Sequence, residues 1–180
     1  MYENTRPRRS SLAGIKNKTM EKQPKKELRI IVASDHAGLE RKNELLSYLK
    51  EEGFDVVDVG AYSFVKDDDY PEFMVKAAMK VVEDPENTKA VIFGMSGQGE
   101  AMVANRLPGV RAAVWYGGSD VVSRDIIRLS REHNDANILS IGAGFVSKDE
   151  MIAAVKLWLS TPFSNEERHR RRIEEIDSIE

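Results

Sequence analysis

From Leu28 onward the chain alternates short apolar runs with longer amphipathic ones, and this alternation restricts its fold more than any other feature. The strand candidates are LRIIVAS (28–34), FDVVDVG (54–60), AVIFG (90–94), VRAAVWY (110–116) and ANILSIG (136–142). Helical patterns fall between them at about 38–52, 71–83, 99–106, 119–132 and 148–160, and a charged final helix covers about 164–177. Repeated β-then-α order predicts an α/β fold: a five-stranded parallel sheet with helices on both faces and a C-terminal helix. The strands read as near-continuous apolar runs rather than alternating ones, as burial of both sheet faces requires. Gly53 sits just past the first helix and Pro71 at the start of the second, where each residue type is favoured.

Length and charge narrow the classes. One hundred and eighty residues, 41% of them hydrophobic, suit a single domain with a sizeable core, expected at 28–180. Residues 1–29 hold nine Lys/Arg against three Asp/Glu, and the remainder holds 18 against 27. The basic part is therefore the leader, 1–27, which is polar, lacks an apolar periodicity and reads as disordered. An organelle transit peptide is the weaker reading of the same stretch. The acidic body argues against nucleic acid as the main partner, since backbone phosphates need clustered cations on the folded surface. Apolar runs such as IIVA (30–33) and AAVWY (112–116) are strand-sized, so no membrane span is expected. With no cysteine and no signal-like apolar segment, a cytoplasmic protein is expected, and thiol catalysis is excluded.

Ligands of open α/β sheets collect beyond the carboxyl ends of the strands, so the residues there carry the functional reading. The first strand runs into Ser34-Asp35-His36-Ala37-Gly38, which puts a histidine at the crevice; equally, Ser34 or Asp35 caps the next helix and His36 is an ordinary surface residue. The third runs into GMSGQGEA (94–101), where glycines permit positive φ and close backbone approach, and the next helix offers N–H groups to an oxyanion or phosphate. A tight structural turn explains the same glycines. The stretch has neither the Lys-Ser/Thr of a P-loop nor a G-x-G-x-x-G after a first strand, so nucleotide binding is unsupported. Glu100, alone, could be dipole compensation in a first helical turn. Beside an N–H-lined loop it could instead remove a proton from carbon next to a carbonyl while those donors hold the enediolate oxygen.

His133, at the end of the helix before the fifth strand, reads equally as an acid–base group or a helix cap. Arg168 and Arg172 are four apart on one helical face, where like charges repel unless an anion lies between them; a solvated basic face or an RNA-binding patch is the plainer alternative. All three histidines, at 36, 133 and 169, fall in these polar clusters, and no H-x-H, H-E-x-x-H or Asp-rich metal spacing links them. Metal-free acid–base chemistry is the expectation. The tract VKDDD (65–69) reads as a solvated loop.

SDHAG (34–38), GMSGQGEAMVANR (94–106), LPGVRAA (107–113), LSREHNDAN (129–137) and RHRRRI (168–173), in this order, resemble the ribose-5-phosphate isomerase B and galactose-6-phosphate isomerase family over roughly residues 28–175. The resemblance implies a Rossmann-like three-layer sandwich, a homodimer with shared active sites that could pair into tetramers, and cofactor-free interconversion of ribose 5-phosphate and ribulose 5-phosphate through an enediolate. Many members carry cysteine where Gly94 stands; another branch carries glutamate where Glu100 stands, and this chain resembles that branch. The same resemblance implies that Ser96 and the amides around Gly97 and Gly99 hold the enediolate. It implies further that His133 opens the sugar ring with Asn134 beside it and Asp35 assisting, that His36, Arg168 and Arg172 bind phosphate, and that Tyr70 lines the pocket. Two departures stand out: Gly142-Ala143-Gly144 replaces the usual Gly-Ala-Arg or Gly-Gly-Arg, and GGSDVVSRDIIR (117–128) contains extra residues, from which Arg124 or Arg128 could replace the lost charge. They raise a six-carbon phosphosugar as the alternative substrate, with a non-catalytic sugar-phosphate-binding module as the remaining reading.

Overall fold

The computed structural model describes residues 28–118 and 120–179, so the disordered leader expected at 1–27 lies outside the described residues. Five strands, β1 (Arg29–Ser34), β2 (Asp55–Asp58), β3 (Thr88–Gly94), β4 (Ala112–Trp115) and β5 (Ile138–Gly142), form one all-parallel sheet in the order β2-β1-β3-β5-β4. The connecting helices are α1 (Leu39–Glu51), α2 (Tyr70–Glu83), α3 (Gln98–Ala104), α4 (Val121–Glu132) and α5 (Lys148–Ser160), followed by α6 (Glu167–Asp177). Every strand and helix expected from the sequence is present. β2 and β4 are shorter than expected, four residues each, because they are the edge strands and pair on one side only.

Successive side chains of a strand point to opposite faces, and β1 divides accordingly. Ile30 and Val32 join Leu45, Leu49, Ile127, Met151, Val155 and Trp158 beneath α1, α4 and α5. Ile31 and Ala33 join Met74, Ala77, Ala78, Val81 and Ala104 beneath α2 and α3. Both faces are thus covered, which explains why β1, β3 and β5 read as apolar runs and not as alternating ones.

β1 leads through α1 to β2 on one side, whereas β3 leads away to the other side, so the sheet changes direction between β1 and β3. Their carboxyl ends are in register, Ser34 beside Phe93. A crevice opens at such a switch point because the two departing connections diverge. Gly38 keeps its floor tight: a Cβ there would come within 2.5 Å of Phe93 Cβ.

Candidate active site

The loop after β3 is shaped by its glycines. Gly97, at φ +76°, occupies a left-handed conformation that side chains disfavour, and a Cβ there would meet Gly142 N at 3.1 Å. Ser140 Oγ, buried on β5, donates to Gly97 O at 2.6 Å and holds the turn down. Ser96 Oγ in turn accepts from Gln98 N at 3.3 Å. Gly99 lets Tyr70 approach, since a Cβ there would lie 2.8 Å from the Tyr70 hydroxyl oxygen.

Glu100, in the first turn of α3, is only 5% exposed. Its carboxylate lies over Gly94, so close that a Cβ on Gly94 would sit 1.7 Å from Oε1 and 2.1 Å from Cδ. Burial pushes the Glu100 carboxyl above its ordinary range; a backbone hydrogen bond opposes this and nearby Asp35 reinforces it. A buried carboxylate with a raised pKa, packed against Gly94, has the character of a general base.

Asp35 and His36 enter from the end of β1. Asp35 Oδ1 accepts from Gly38 N at 3.0 Å, so it caps the turn into α1 while remaining buried. Asp68 Oδ1 accepts from His36 N at 3.2 Å and is paired with His36 Nδ1 at 2.5 Å. That hydrogen bond is the main cause raising the His36 pKa above its usual value, so the ring holds its positive charge to higher pH. Asp35, His36 and Asp68 each place one ligand-type atom within 4.8 Å of the others. Motif spacing could not reveal this cluster, because Asp68 is 32 residues from His36. Asp68 Oδ1 and Asp35 Oδ1 accept from N–H groups of His36 and Gly38, while Asp68 Oδ2 is buried without a hydrogen-bond partner among the described residues.

The VKDDD tract departs from the solvated-loop expectation at one residue: Asp67 and Asp69 are exposed, but the Asp68 side chain is 10% exposed. The loop carrying it is anchored by Lys42, fully buried on α1, whose ammonium donates to both Asp58 carboxylate oxygens at 2.8 and 2.7 Å. A basic residue on an amphipathic helix ordinarily signals solvent, so the burial of Lys42 is not legible along the chain.

His133, Asn134, Arg168 and Arg172 come together elsewhere. His133 is the C-cap of α4, its N–H donating to Leu129 O at 3.0 Å. The His133 ring lies against His169, centroids 4.3 Å apart, one residue from Arg168. Arg111 orders this turn: Nε donates to Asn134 O at 3.0 Å, and other guanidinium nitrogens reach Asp135 and Asp177. Arg168 Nε donates to Glu166 at 2.8 Å. Arg111 lies within the LPGVRAA motif, but its role needed α6 to be placed.

The two groups do not meet within one chain. Glu100 and Ser96 follow Gly94 at the carboxyl edge of the sheet, whereas His133 precedes Ile138, which pairs with Ala90 at the amino edge. The four steps from Ala90 to Gly94, at about 3.3 Å each, put these edges about 13 Å apart. Asp35, His36, Tyr70, Ser96, Gly97, Gly99 and Glu100 thus lie at the carboxyl edge, and His133, Asn134, Arg168 and Arg172 at the other.

The departures also have structural correlates. A Cβ on Gly144 would approach Met95 Sδ to 2.5 Å, so Met95 occupies the space an arginine stem would need. Beside it Ser96, Gln98, Tyr116 and Phe145 line a hollow of about 320 Å³. Arg128 is engaged by Asp125 and Glu132, and Arg124 lines a separate hollow with Trp115, Asp149 and Glu150 between α4 and α5. Neither stands in for the missing cation beside Ser96.

The Ribose/Galactose Isomerase family model matches residues 30–176. The chain belongs to this family. Ribose-5-phosphate isomerase B of Mycolicibacterium paratuberculosis is 37% identical over 153 residues, covering 85% of this chain and 92% of that protein. The Escherichia coli protein of the same name is 33% identical, covering 84% and 96%. Among solved structures, ribose-5-phosphate isomerase B from Mycoplasma genitalium with bound ribulose-5-phosphate superposes with a TM-score of 0.76 at 37% identity, over 83% of this chain and 94% of that one. The Thermotoga maritima enzyme gives 0.75 at 34%, over 84% and 99%. Membership in the ribose/galactose isomerase family and the three-layer fold expected from the sequence therefore agree.

Proposed function

We propose that this chain, over residues 28–180, is an aldose–ketose isomerase that interconverts ribose 5-phosphate and ribulose 5-phosphate. The observation that carries the reading is the buried Glu100 carboxylate packed over Gly94, one residue after the Ser96–Gly99 loop. Glu100 removes the C2 proton of the open-chain aldehyde, and charge develops on O1 as C1 and C2 become doubly bonded. Ser96 and the amides around Gly97 and Gly99 hold that oxygen. The proton then returns from Glu100 to C1, while the O2 hydroxyl proton passes to O1, leaving the ketone at C2. Asp35 and Tyr70 border the sugar. No cofactor enters this sequence of steps.

Phosphate and ring-opening groups are supplied by a second copy. His133, Asn134, Arg168 and Arg172 of the partner complete a site that also uses His36, and a homodimer with two shared sites satisfies both halves. The expected check is subunit complementation. Glu100→Gln and His133→Asn proteins are each nearly inactive alone; mixed and reassociated in equal amounts, they regain about a quarter of wild-type activity, because half the dimers are hybrid and each hybrid has one intact site. Recovery of no activity above the separate variants would show that one chain carries a whole site.

His36 gives the site a pH dependence. Its pKa is raised through Asp68, so it remains cationic toward phosphate at pH values where an ordinary histidine is neutral. Asp68→Asn removes the chief cause, and KM for ribose 5-phosphate is expected to begin rising at a lower pH than in wild type. Superimposable KM profiles would remove His36 from phosphate binding.

The apolar wall of Met95, Tyr116 and Phe145 next to Gly144 favours one second reading, a six-carbon phosphosugar. Comparing kcat/KM for five- and six-carbon phosphates decides between them. We place the enzyme in the cytoplasm: the chain has no cysteine, and no helix among the described residues is long and apolar enough to cross a membrane.

A further inference from the structure

Ser140 is a hydroxyl at a place in the core where an apolar side chain would fit. It lies in the middle of β5 and is 0% exposed. Leu139 and Ile141 point into the core beneath α1, α4 and α5, and Ile138 into the core beneath α2 and α3, so strand alternation turns Ser140 toward α2 and α3. A hydroxyl buried in this way weighs against folding unless it is hydrogen-bonded. Its partner lies outside the strand: the hydroxyl donates to Gly97 O at 2.6 Å, across 43 positions of sequence. Gly97 O also accepts from Ala101 N at 3.2 Å, so this carbonyl has a partner even without the serine. What the serine adds is direction.

That direction reaches Ser96 in two steps. The carbonyl and the N–H of a trans peptide point opposite ways, so a Gly97 O held toward Ser140 turns the Gln98 N–H away from it. Gln98 N then donates to Ser96 Oγ at 3.3 Å. An oxygen that accepts there has its own O–H left to give, and Ser96 Oγ makes no other hydrogen bond among the described residues. The loop rests directly on β5, since a Cβ on Gly97 would meet Gly142 N at 3.1 Å and Ser140 O at 3.3 Å. We propose that Ser140 is a positioning residue that acts through the Gly97-Gln98 peptide to aim the Ser96 hydroxyl at the enediolate oxygen. The inference rests on the isomerase reading, in which Ser96 holds that oxygen. Donors fixed in place before charge develops are the effective ones: deleting one outright costs about 10²- to 10³-fold in kcat, and loosening one costs less, about 10-fold.

Ser140→Ala deletes the hydroxyl and leaves a small apolar side chain on a buried strand, with Gly97 O still bonded to Ala101 N, so the variant is expected to fold. Its kcat for ribose 5-phosphate is expected to fall about 10-fold while KM changes less than about twofold. Inhibition by a four-carbon phosphorylated hydroxamate, whose anionic oxygen imitates the enediolate, should weaken by the same factor as kcat, whereas inhibition by inorganic phosphate should not change. A Ser96→Ala background separates positioning from general damage. There the added Ser140→Ala is expected to cost nothing further, because no hydroxyl remains to be aimed. Wild-type turnover by Ser140→Ala, a matching loss of phosphate inhibition, or a further loss of about 10-fold in the Ser96→Ala background would overturn the inference. Wild-type turnover by Ser96→Ala alone would overturn the assignment of Ser96 and this inference with it. Failure of the wild-type protein to interconvert the two pentose phosphates would overturn the isomerase reading itself, a distinct result.

Discussion

Replacing Glu100 with Gln is expected to reduce kcat by about 10²- to 10⁴-fold, the range for removal of a general base, while the shape of the site is kept. KM should change little, since the amide fills the same volume and the phosphate contacts lie elsewhere. The same substitution is expected to make the protein more stable. Burial raises the Glu100 pKa above its ordinary value of 4.5, so folding favours the protonated acid. The favourable contribution is complete below the unfolded-state pKa and is lost as pH rises through the raised, folded-state one, so at neutral pH the ionised carboxylate weighs against the fold. Gln, neutral throughout, should therefore melt above wild type at pH 8, with the difference closing toward pH 4. Wild-type activity should rise with pH through the same raised pKa. Near-normal turnover of Glu100→Gln would remove this residue from the mechanism.

The second large effect is expected at a residue with no functional group. Gly94→Ala places a methyl where Glu100 Oε1 now lies, 1.7 Å away, and the two cannot coexist. Gly94 is not among the glycines with positive φ, so the backbone tolerates alanine, and what must move is the flexible end of Glu100. Misplacement of a catalytic group by about 1 Å costs about 10²-fold, and full eviction approaches the loss seen on deleting the base. The expected protein folds, melts near or above wild type, and isomerises at least about 100-fold more slowly. A crystal structure of the variant should find the carboxylate turned from the sugar cleft. Turnover close to wild type would mean that the carboxylate as placed here is not the working one. The same contact explains why the resemblance offers either cysteine at 94 or glutamate at 100: each side chain claims one space.

These two residues mark how far the sequence could be read. Glu100 was legible because a carboxylate directly after a glycine-rich strand end is unusual, and companion motifs at 34–38, 129–137 and 168–173 gave it a context. Gly94 was legible as a glycine but not as a cradle, since nothing in one dimension says which side chain folds back over it. Asp68 was hidden for the same reason. Within VKDDD it is indistinguishable from Asp67 and Asp69, and only loop geometry pairs it with His36.

The alternation of apolar and amphipathic runs determined the sheet, its parallel order and the layers, because strand burial on both faces and short connections leave few other arrangements. It determined the residue types at the strand ends as well. Tertiary structure alone decided which of them meet. It set Glu100 over Gly94, buried His169 against His133, and put the cationic group at the amino edge of the sheet, opposite the edge that holds the base. The reason is that side-chain proximity depends on strand order and register, which join residues 30 to 60 positions apart, whereas the signals read along a chain extend over a few turns or one strand.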